Sequence, residues 1–353
     1  ANNLQPAAPE STLTPYTGSW TENEMIHLLK RLSFGAVKED VDYFKTKSFN
    51  EAVDEMLNTK NTNVGFPLKN YVPDITTVPR NDPDWSIAVG RTWVNTFTWD
   101  GNVNFYRHQS VKAWWFDLMI KQSRSIEEKM MLFLSSFLTI QFGEVNNGIY
   151  CYKYLNTLRT HATGNYKTLV KAITIEPSML FYLNGVYNKN TAPDENYARE
   201  LQELFTVGKG PHALFTEADV QAAAKVLTGF TVNAQGNVYF EPYFHDTGNK
   251  TFSAFYNNTQ ITGRSGANGQ QELDDLINML FATNEAAKFI CRRIYRFFVY
   301  GVISADVEAN VITPMANLLR TGNYELKPVL SLLFKSEHFF DVLTQGAIIK
   351  SPL

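Results

Sequence analysis

Three separated stretches of this 353-residue chain concentrate the side chains from which catalytic, binding and metal sites are usually built. The first offers an imidazole and an amide, the second a row of carboxylates around one guanidinium, and the third an imidazole followed by a carboxylate and an amine. Their members are His161 and Asn165; Glu195, Asn196, Arg199, Glu200 and Glu203; and His245, Asp246 and Lys250. Folded together they would form one polar site, although their spacing does not show that they meet.

The second stretch has the pattern of one face of a helix, because Glu195, Arg199 and Glu203 recur every four residues. Such pairs on an exposed helix contribute about 0.3–0.5 kcal/mol each, so the spacing favours a solvated salt-bridge ladder. A second interpretation stays open, in which these groups line a groove and Glu200 is partly buried and requires a partner. The apolar face of the same helix is predicted to comprise Tyr197, Ala198, Leu201, Leu204 and Phe205.

The third stretch is compatible with an active site that hydrolyses an extracellular polymer. His245 would act with Asp246 as its orienting partner, and Glu200 would serve as acid or base. This hypothesis requires the Glu200 carboxylate and the His245 ring to share one cleft that solvent reaches. The same residues and His161 are metal-ligand types, but their separation matches no metal motif, and a His-Asp dipeptide is more often a turn. We predict no metal and no cofactor.

Several well-known active-site motifs do not occur in the sequence. It has no His-Glu-x-x-His, Gly-x-Ser-x-Gly or Cys-x-x-Cys pattern and no dinucleotide-binding fingerprint. The loop that contains Gly263, Gly266 and Gly269 lacks the preceding strand and the following Lys-Ser/Thr pair of a phosphate-binding loop. The sequence therefore gives no motif-based support for the enzyme classes that these motifs define.

The elements that must position these groups are predicted to be mainly helices. Apolar periodicity, capping boxes at Thr21 with Glu24 and at Thr216 with Asp219, and glycine stops support this prediction. The predicted helices cover 21–32, 38–45, 49–57, 106–122, 126–140, 150–161, 166–175, 177–183, 193–208, 216–227, 270–281, 284–300, 306–320 and 327–335. Turn residues and an apolar run predict a small β-hairpin insertion near residues 231–262. We expect a mainly α, multi-helical single globular domain.

Composition limits the functional classes. With 44% apolar residues, the chain is able to bury a large core. A net charge of −3 and a pI near 6 argue against a nucleic-acid partner. No apolar run reaches the length of a membrane span. Aromatic residues make up 14% of the chain, which suits surfaces that stack on sugars or bind partner proteins.

The first 20 residues are predicted to be a flexible leader, because residues 1–18 are rich in Pro, Ser, Thr and Asn. This pattern is typical of a terminus left by removal of an export signal, so we expect an exported protein. Residues 21–353 are expected to form the helical domain. Cys151 and Cys291 leave two alternatives open, a disulfide or two buried free thiols.

Six blocks of the sequence resemble, in the same order, the signature blocks of a large exported bacterial family catalogued as domain of unknown function eighteen hundred. The blocks are HLLKRLSFG at 27–35, EKMMLF at 128–133, HATGNYKTLVKAIT at 161–174, DENYARELQELFTVGKG at 194–210, TEADVQAAAKVLTGF at 216–230 and HDTGNKTF at 245–252. The resemblance implies a mostly α-helical exported protein. It also suggests a functional partner, either an exported sulfatase-like protein, because the two kinds of gene are often neighbours, or another envelope protein. It implies no established activity.

Two departures from the family pattern affect the functional expectation. Family members commonly continue the block at Glu128 into a Trp-His-Asn-His-Phe run, whereas this chain has Leu134-Ser135-Ser136-Phe137-Leu138. If those histidines bind metal or transfer protons in relatives, this chain lacks the side chains for that function. The sequence also stops at Leu353, where relatives continue with further helices, so we expect the protein to continue beyond this residue.

The leader, the aromatic composition and the missing histidines favour a non-catalytic binding or assembly component over an enzyme. Its expected location is the periplasm, the cell surface or the extracellular space. Its expected ligand is a partner protein or a surface polysaccharide. The hydrolase described above is the alternative.

Overall fold

The computed structural model describes residues 12–71, 84–346 and 348. Helices dominate the described residues. The α-helices are α1 Glu22–Leu32, α2 Lys38–Phe44, α3 Phe49–Asn58, α4 Gly101–Ile120, α5 Glu127–Ser135, α6 Phe142–Val145, α7 Gly148–His161, α8 Tyr166–Thr174, α9 Pro177–Tyr182, α10 Asn196–Glu200, α11 Glu217–Val226, α12 Glu272–Ala282, α13 Asn284–Phe298, α14 Ala305–Val307, α15 Thr313–Thr321 and α16 Leu326–Phe334. The strands are β1 Phe230–Val232, β2 Val238–Phe240, β3 Lys250–Thr251 and β4 Gln260–Ile261. The predicted fold class is confirmed.

The small β insertion consists of two separate antiparallel hairpins. β1 pairs with β2, which places Thr231 opposite Tyr239. β3 pairs with β4, which places Lys250 opposite Ile261. The polar segment between the hairpins carries His245 and Asp246, so the hairpins fix both ends of that segment.

Side-chain caps explain where the helices start. The first N–H groups of a helix have no partner within it, and a capping box satisfies two of them. At α11 the Thr216 N–H donates to the Asp219 carboxylate at 2.7 Å, and the Asp219 N–H donates to the Thr216 hydroxyl at 3.3 Å. At α1 the Thr21 N–H donates to the Glu24 carboxylate at 3.1 Å. Both predicted capping boxes are confirmed.

A large hydrophobic core joins the helices and orients α13. The α13 side chains Ile290, Ile294 and Phe298 are fully buried. From α5, the Phe133 ring contacts α13, with centroid distances of 5.2 Å to Phe297 and 5.8 Å to Phe298. Burying one such side chain contributes about 1.5–3 kcal/mol. Because one stripe of α13 is held in the core, its opposite stripe faces the surface beside α5.

The helix that carries the glutamate ladder changes type halfway along. α10 is followed directly by a π-helical segment, Leu201–Thr206. A π-helix has more residues per turn than an α-helix, so later side chains point in different directions from those expected. Leu204 is therefore 36% exposed, whereas Gln202 and Thr206 are fully buried. The prediction that Leu204 belongs to the apolar face was wrong, because it assumed α-helical periodicity throughout.

Other predicted helices also differ from the structure. α4 begins at Gly101 rather than at Tyr106. A second π-helical segment, Glu308–Ile312, interrupts the helix expected over 306–320. α5 ends at Ser135 rather than at Ile140. The Ser135 and Ser136 hydroxyls donate to backbone carbonyls of the preceding turn, at 2.9 and 2.6 Å. Such bonds compete with the regular helical pattern.

Residues 12–20 lie against the C-terminal part of the described chain. The Tyr16 N–H donates to the Lys335 carbonyl at 2.8 Å, and the Thr17 N–H donates to the Glu337 carboxylate at 2.6 Å. Residues 1–11 of the predicted flexible leader lie outside the described residues, as do 347 and 349–353. The extent of the leader and the continuation beyond Leu353 stay predictions.

Both cysteines are free and buried, so the second alternative is confirmed. Burial raises the pKa of both the Cys151 and the Cys291 thiol. Within the described part of the chain, no helix has the length and apolar character needed to cross a membrane.

Candidate functional site

The first predicted polar group serves the start of α8. The Asn165 side-chain oxygen accepts the Thr168 N–H at 2.9 Å, and its amide donates to the Asn323 carbonyl at 2.6 Å and to the Glu325 carboxylate at 2.9 Å. His161 is the last residue of α7 and is half-buried, and this burial lowers the pKa of its imidazole. Asn165 therefore has a structural role as a helix cap.

The second group forms the expected ladder and connects two helices. Arg199 lies 3.1 Å from Glu195 and 4.0 Å from Glu203, and it donates to both oxygens of Glu217 on α11 at 2.8 and 2.7 Å. The Arg199 side chain is 33% exposed, and Asn196 is exposed beside it. This geometry is that of a solvated ladder rather than of a closed groove.

Glu200 borders the ladder without joining it. Its Oε2 is buried and has no hydrogen-bond partner within the described residues. Burial, followed by the negative charge of Glu203, raises the pKa of the Glu200 carboxyl. Glu200 is thus partly buried, as the second interpretation expected, while its neighbours form the solvated ladder of the first interpretation.

The third group is a buried ion-pair network centred on Glu272 of α12. The Glu272 carboxylate accepts the Lys250 ammonium at 2.7 Å and the Arg264 N–H at 2.6 Å, and it lies 3.1 Å from His245 Nε2. The Lys250 ammonium also donates to the Asp246 carbonyl. The side chains of His245, Lys250 and Glu272 are at most 1% exposed. This network fastens the segment between the two hairpins to α12.

The three networks do not assemble into one composite site. Within residues 12–71, 84–346 and 348, no hydrogen bond or ion pair joins a predicted member of one group to a member of another. His245 Nδ1 lies 2.9 Å from the Thr228 carbonyl oxygen, so both ring nitrogens have protein partners. The hydrolase hypothesis requires a cleft shared with Glu200, and a buried ring does not provide one. No three His, Cys, Asp or Glu side chains among the described residues are arranged to hold a metal ion.

A different set of side chains does converge on the surface stripe of α13. There α1, α5 and α13 border a groove, here called the basic groove. The residues that line it, two of them from the C-terminal part of the described chain, are His27, Lys30, Arg31, Lys129, Leu132, Phe133, Ser136, Phe137, Phe289, Arg293, Arg296, Phe297, Gly346 and Ile348. The groove comprises two depressions of about 470 and 360 Å³, which share Ser136, Arg296 and Phe297. Each depression is large enough for a small-molecule ligand.

Aromatic rings hold two of the cations of this groove in place. The Arg293 guanidinium lies between the rings of Phe137 and Phe289, 4.7 Å from each centroid. The Lys129 ammonium lies 4.9 Å from the Phe34 ring centroid and 5.7 Å from that of Phe297. Cation–π contacts contribute about 0.5–2 kcal/mol, depending on desolvation. These side chains are therefore ordered before any ligand arrives.

Positive charge dominates the basic groove. No Asp or Glu side chain of the described residues lines it. Burial lowers the pKa of Arg31 to about 10, which leaves this guanidinium charged at neutral pH. Burial and then the nearby Arg31 lower the pKa of His27 to about 4, so His27 is neutral at pH 7 and donates to the Phe339 carbonyl at 3.0 Å. The charge of the groove thus comes from its lysines and arginines.

One donor in the groove has no partner. Among the described residues, the buried Nε of Arg293 makes no hydrogen bond. Burial, together with the charge of Arg296, lowers the pKa of Arg293. A buried donor without a partner costs about 1–3 kcal/mol.

The sequence analysis missed this groove, although two signals were present. Lys30-Arg31 ends α1, and the segment 289–297 alternates cations with aromatic residues. Neither signal shows that α1, α5 and α13 meet. Two of the six blocks contribute to the groove, through 27–31 and 129–133. Ser136 and Phe137 belong to the Leu134–Leu138 stretch, the first of the two departures described above.

Comparison with protein-family models gives a match for the chain. Residues 27–353 match a model described as "Protein of unknown function (DUF1800)". The matched range includes all six blocks and every residue named in the basic groove. Comparison with curated proteins and with solved structures gives no match. Because the matched range spans most of the 353 residues, the chain belongs to the DUF1800 family, a family of unknown function.

Proposed function

We propose that this protein is a non-catalytic, exported component of the cell envelope that binds an anionic polysaccharide chain in the basic groove. The observation that supports this proposal is a group of five cations, two of them held by aromatic rings, with no carboxylate among the described lining residues. Such a surface attracts anions over a distance of about 10 Å at ordinary ionic strength. The ligand class follows from the hydrogen-bonding groups that the groove offers.

The ionised side chains of the groove offer donors and no acceptors. Lysine and arginine side chains only donate hydrogen bonds. The Ser136 hydroxyl is already used, since it donates to the Phe133 carbonyl. A peptide brings as many N–H donors as carbonyl acceptors, so half of its backbone groups would lack partners here. An acidic polysaccharide brings carboxylate or sulfate oxygens, which are acceptors, and therefore fits better.

The aromatic rings suit the remainder of such a ligand. Phe289 and Phe297 are half-buried, so part of each ring faces the groove. The C–H face of a sugar ring is apolar and packs on an aromatic surface, while guanidinium groups bind its anionic substituents with two parallel hydrogen bonds. The groove thus combines a stacking surface with fixed positive charge.

In this proposal the partner is an exported sulfatase-like protein. A sulfated surface polysaccharide would present sulfate esters both to the groove and to such a partner. The resemblance of the six blocks supports the partner and the exported location, and the basic groove supports the anionic ligand.

Binding of dextran sulfate and alginate, with uncharged dextran as the control, tests the proposal. The double variant Lys30→Gln/Arg296→Gln removes two exposed cations of the groove. At about 1 kcal/mol for each lost contact, the affinity falls by about thirty-fold. The matched control Lys38→Gln/Lys121→Gln removes the same charge from exposed lysines outside the groove, and its affinity should equal that of the wild type.

Two results would contradict the proposal. Equal losses in the two double variants would mean that the polymer responds to overall charge rather than to the groove. Binding of polyglutamate without binding of any polysaccharide would identify an acidic protein segment as the ligand instead. Isothermal titration calorimetry at fixed salt distinguishes these outcomes.

A further inference from the structure

A third depression opens beside the basic groove. This depression, here called the loop cleft, has a volume of about 390 Å³ and lies between the 207–213 loop, α13 and residues 303–308. It shares Phe289 and Arg296 with the basic groove. The two spaces are therefore adjacent along one face of α13.

The loop cleft is bordered by both π-helical segments of the described chain. Leu201–Thr206 ends directly before the loop, and Glu308–Ile312 begins at a residue that lines the cleft. π-Helical turns are rare and occur frequently at functional sites. Two of them at one cleft are a feature of the backbone that neither the core nor the basic groove explains.

Glycine allows the loop to reach the floor of the cleft. Gly208 has φ +86°, a left-handed conformation, and a Cβ there would lie 2.6 Å from Cδ2 of Phe289. Any larger residue would push the loop away from the ring. The cleft therefore has a defined aromatic floor.

The electrostatics of the loop cleft differ from those of the basic groove. Arg292 donates to Glu308 through Nε at 2.9 Å and through Nη2 at 2.7 Å, and it also donates to Glu285. The bonds from Arg292 lower the pKa of Glu308, which keeps its carboxylate ionised at neutral pH. Three cations line the cleft, Lys209, Arg292 and Arg296. Glu285 and Glu308 offset Arg292, and Lys209 lies 3.2 Å from Glu203, so acceptor oxygens remain beside donor groups and Arg296 is the cation without a carboxylate partner among the described residues.

Mixed donors and acceptors over an aromatic floor match a neutral sugar. A sugar hydroxyl both donates and accepts hydrogen bonds, whereas an anionic group would meet Glu285 and Glu308 as like charges. The loop cleft is therefore suited to a hydroxyl-bearing, uncharged saccharide unit.

We infer that the loop cleft is a second subsite, which holds a neutral sugar next to an acidic sugar bound at Arg296. This inference rests on the proposed polysaccharide-binding function and adds the order of the sugar units in the ligand. Twelve helical steps from Glu285 to Phe297 span about 18 Å, a length that accommodates several consecutive sugars. The protein thus recognises a polysaccharide in which a neutral unit is joined to an acidic one.

Two oligosaccharide series test the inference. Hyaluronan oligosaccharides alternate a uronic acid with a neutral N-acetyl sugar, and alginate oligosaccharides contain uronic acids throughout. At equal numbers of charges, the wild type should bind the hyaluronan series about tenfold more tightly. Ala305→Trp and, independently, His212→Trp fill the loop cleft without adding charge, and each should remove that preference. Ala309→Trp, an exposed position outside the cleft, is the matched control and should keep it.

The outcomes separate this inference from the proposed function. Equal affinity of the wild type for both series, unchanged by Ala305→Trp and His212→Trp, would overturn the second subsite and leave the basic groove intact. Failure of the wild type to bind either series or dextran sulfate would overturn both. Loss of the preference in Ala309→Trp as well would also refute the assignment to the cleft.

Discussion

The substitution Glu272→Gln tests the account of the buried ion-pair network. The Glu272 and Lys250 side chains are both fully buried and lie 2.7 Å apart. Glutamine is close in size to glutamate but carries no charge, so the variant leaves the Lys250 ammonium without its nearest counter-ion. The perturbation is therefore electrostatic and does not create a cavity.

Removing one partner of a buried ion pair costs about 3–5 kcal/mol, because the other charge remains out of water. Asp246 retains a carboxylate oxygen 3.4 Å from the Lys250 ammonium, and its side chain is 24% exposed. This second carboxylate places the expected loss at the lower end, about 3 kcal/mol. The variant should also loosen the segment between the hairpins.

Urea denaturation followed by circular dichroism measures the loss of unfolding free energy. The matched control is Asp275→Asn, also on α12, which removes a partly exposed pair with Arg264 and should cost at most about 1 kcal/mol. The double variant Lys250→Met/Glu272→Leu removes both charges and should lose less than Glu272→Gln. Equal, small losses in Glu272→Gln and Asp275→Asn would refute the reasoning.

Three further predictions concern buried and exposed groups elsewhere. Burial raises the pKa of Glu176 to about 7. The folded protein therefore keeps a proton that the unfolded chain releases, and this group lowers the unfolding free energy by about 3 kcal/mol as pH rises from about 4.5 to about 7. The urea midpoint of the wild type should fall across this range, and a similar fall in Glu176→Gln would contradict the assignment. Arg199→Ala breaks a partly exposed ladder and should lower the unfolding free energy by only about 1 kcal/mol, whereas a loss near that of Glu272→Gln would refute the ladder. The Cys151 and Cys291 thiols should resist maleimide in the native protein and react in urea, as mass spectrometry would show; rapid native labelling would contradict their burial.

Local signals predicted the helices well because caps and stops act over a few residues. The Thr216–Asp219 box is both a sequence pattern and a pair of hydrogen bonds. The π-helical segment after Glu200 has no comparable signal in the sequence. For that reason the position of Leu204 was wrong, while the buried neighbours Tyr197 and Leu201 were predicted.

The functional geometry depends on contacts between distant parts of the chain, which local patterns do not reveal. His245 and Lys250 were found as polar residues, but their common partner Glu272 belongs to a helix after the second hairpin. The basic groove requires α1, α5 and α13 to meet. The sequence predicted a helix over 284–300, and the cations on the surface stripe of α13 became informative only once the packing was known.

A crystal structure of the protein with a sulfated oligosaccharide tests the central claim most directly. The account predicts sulfate oxygens within hydrogen-bonding distance of the Lys30 ammonium and the Arg296 guanidinium, with a sugar ring against Phe289 or Phe297. An oligosaccharide bound elsewhere, with the basic groove open to solvent, would contradict it.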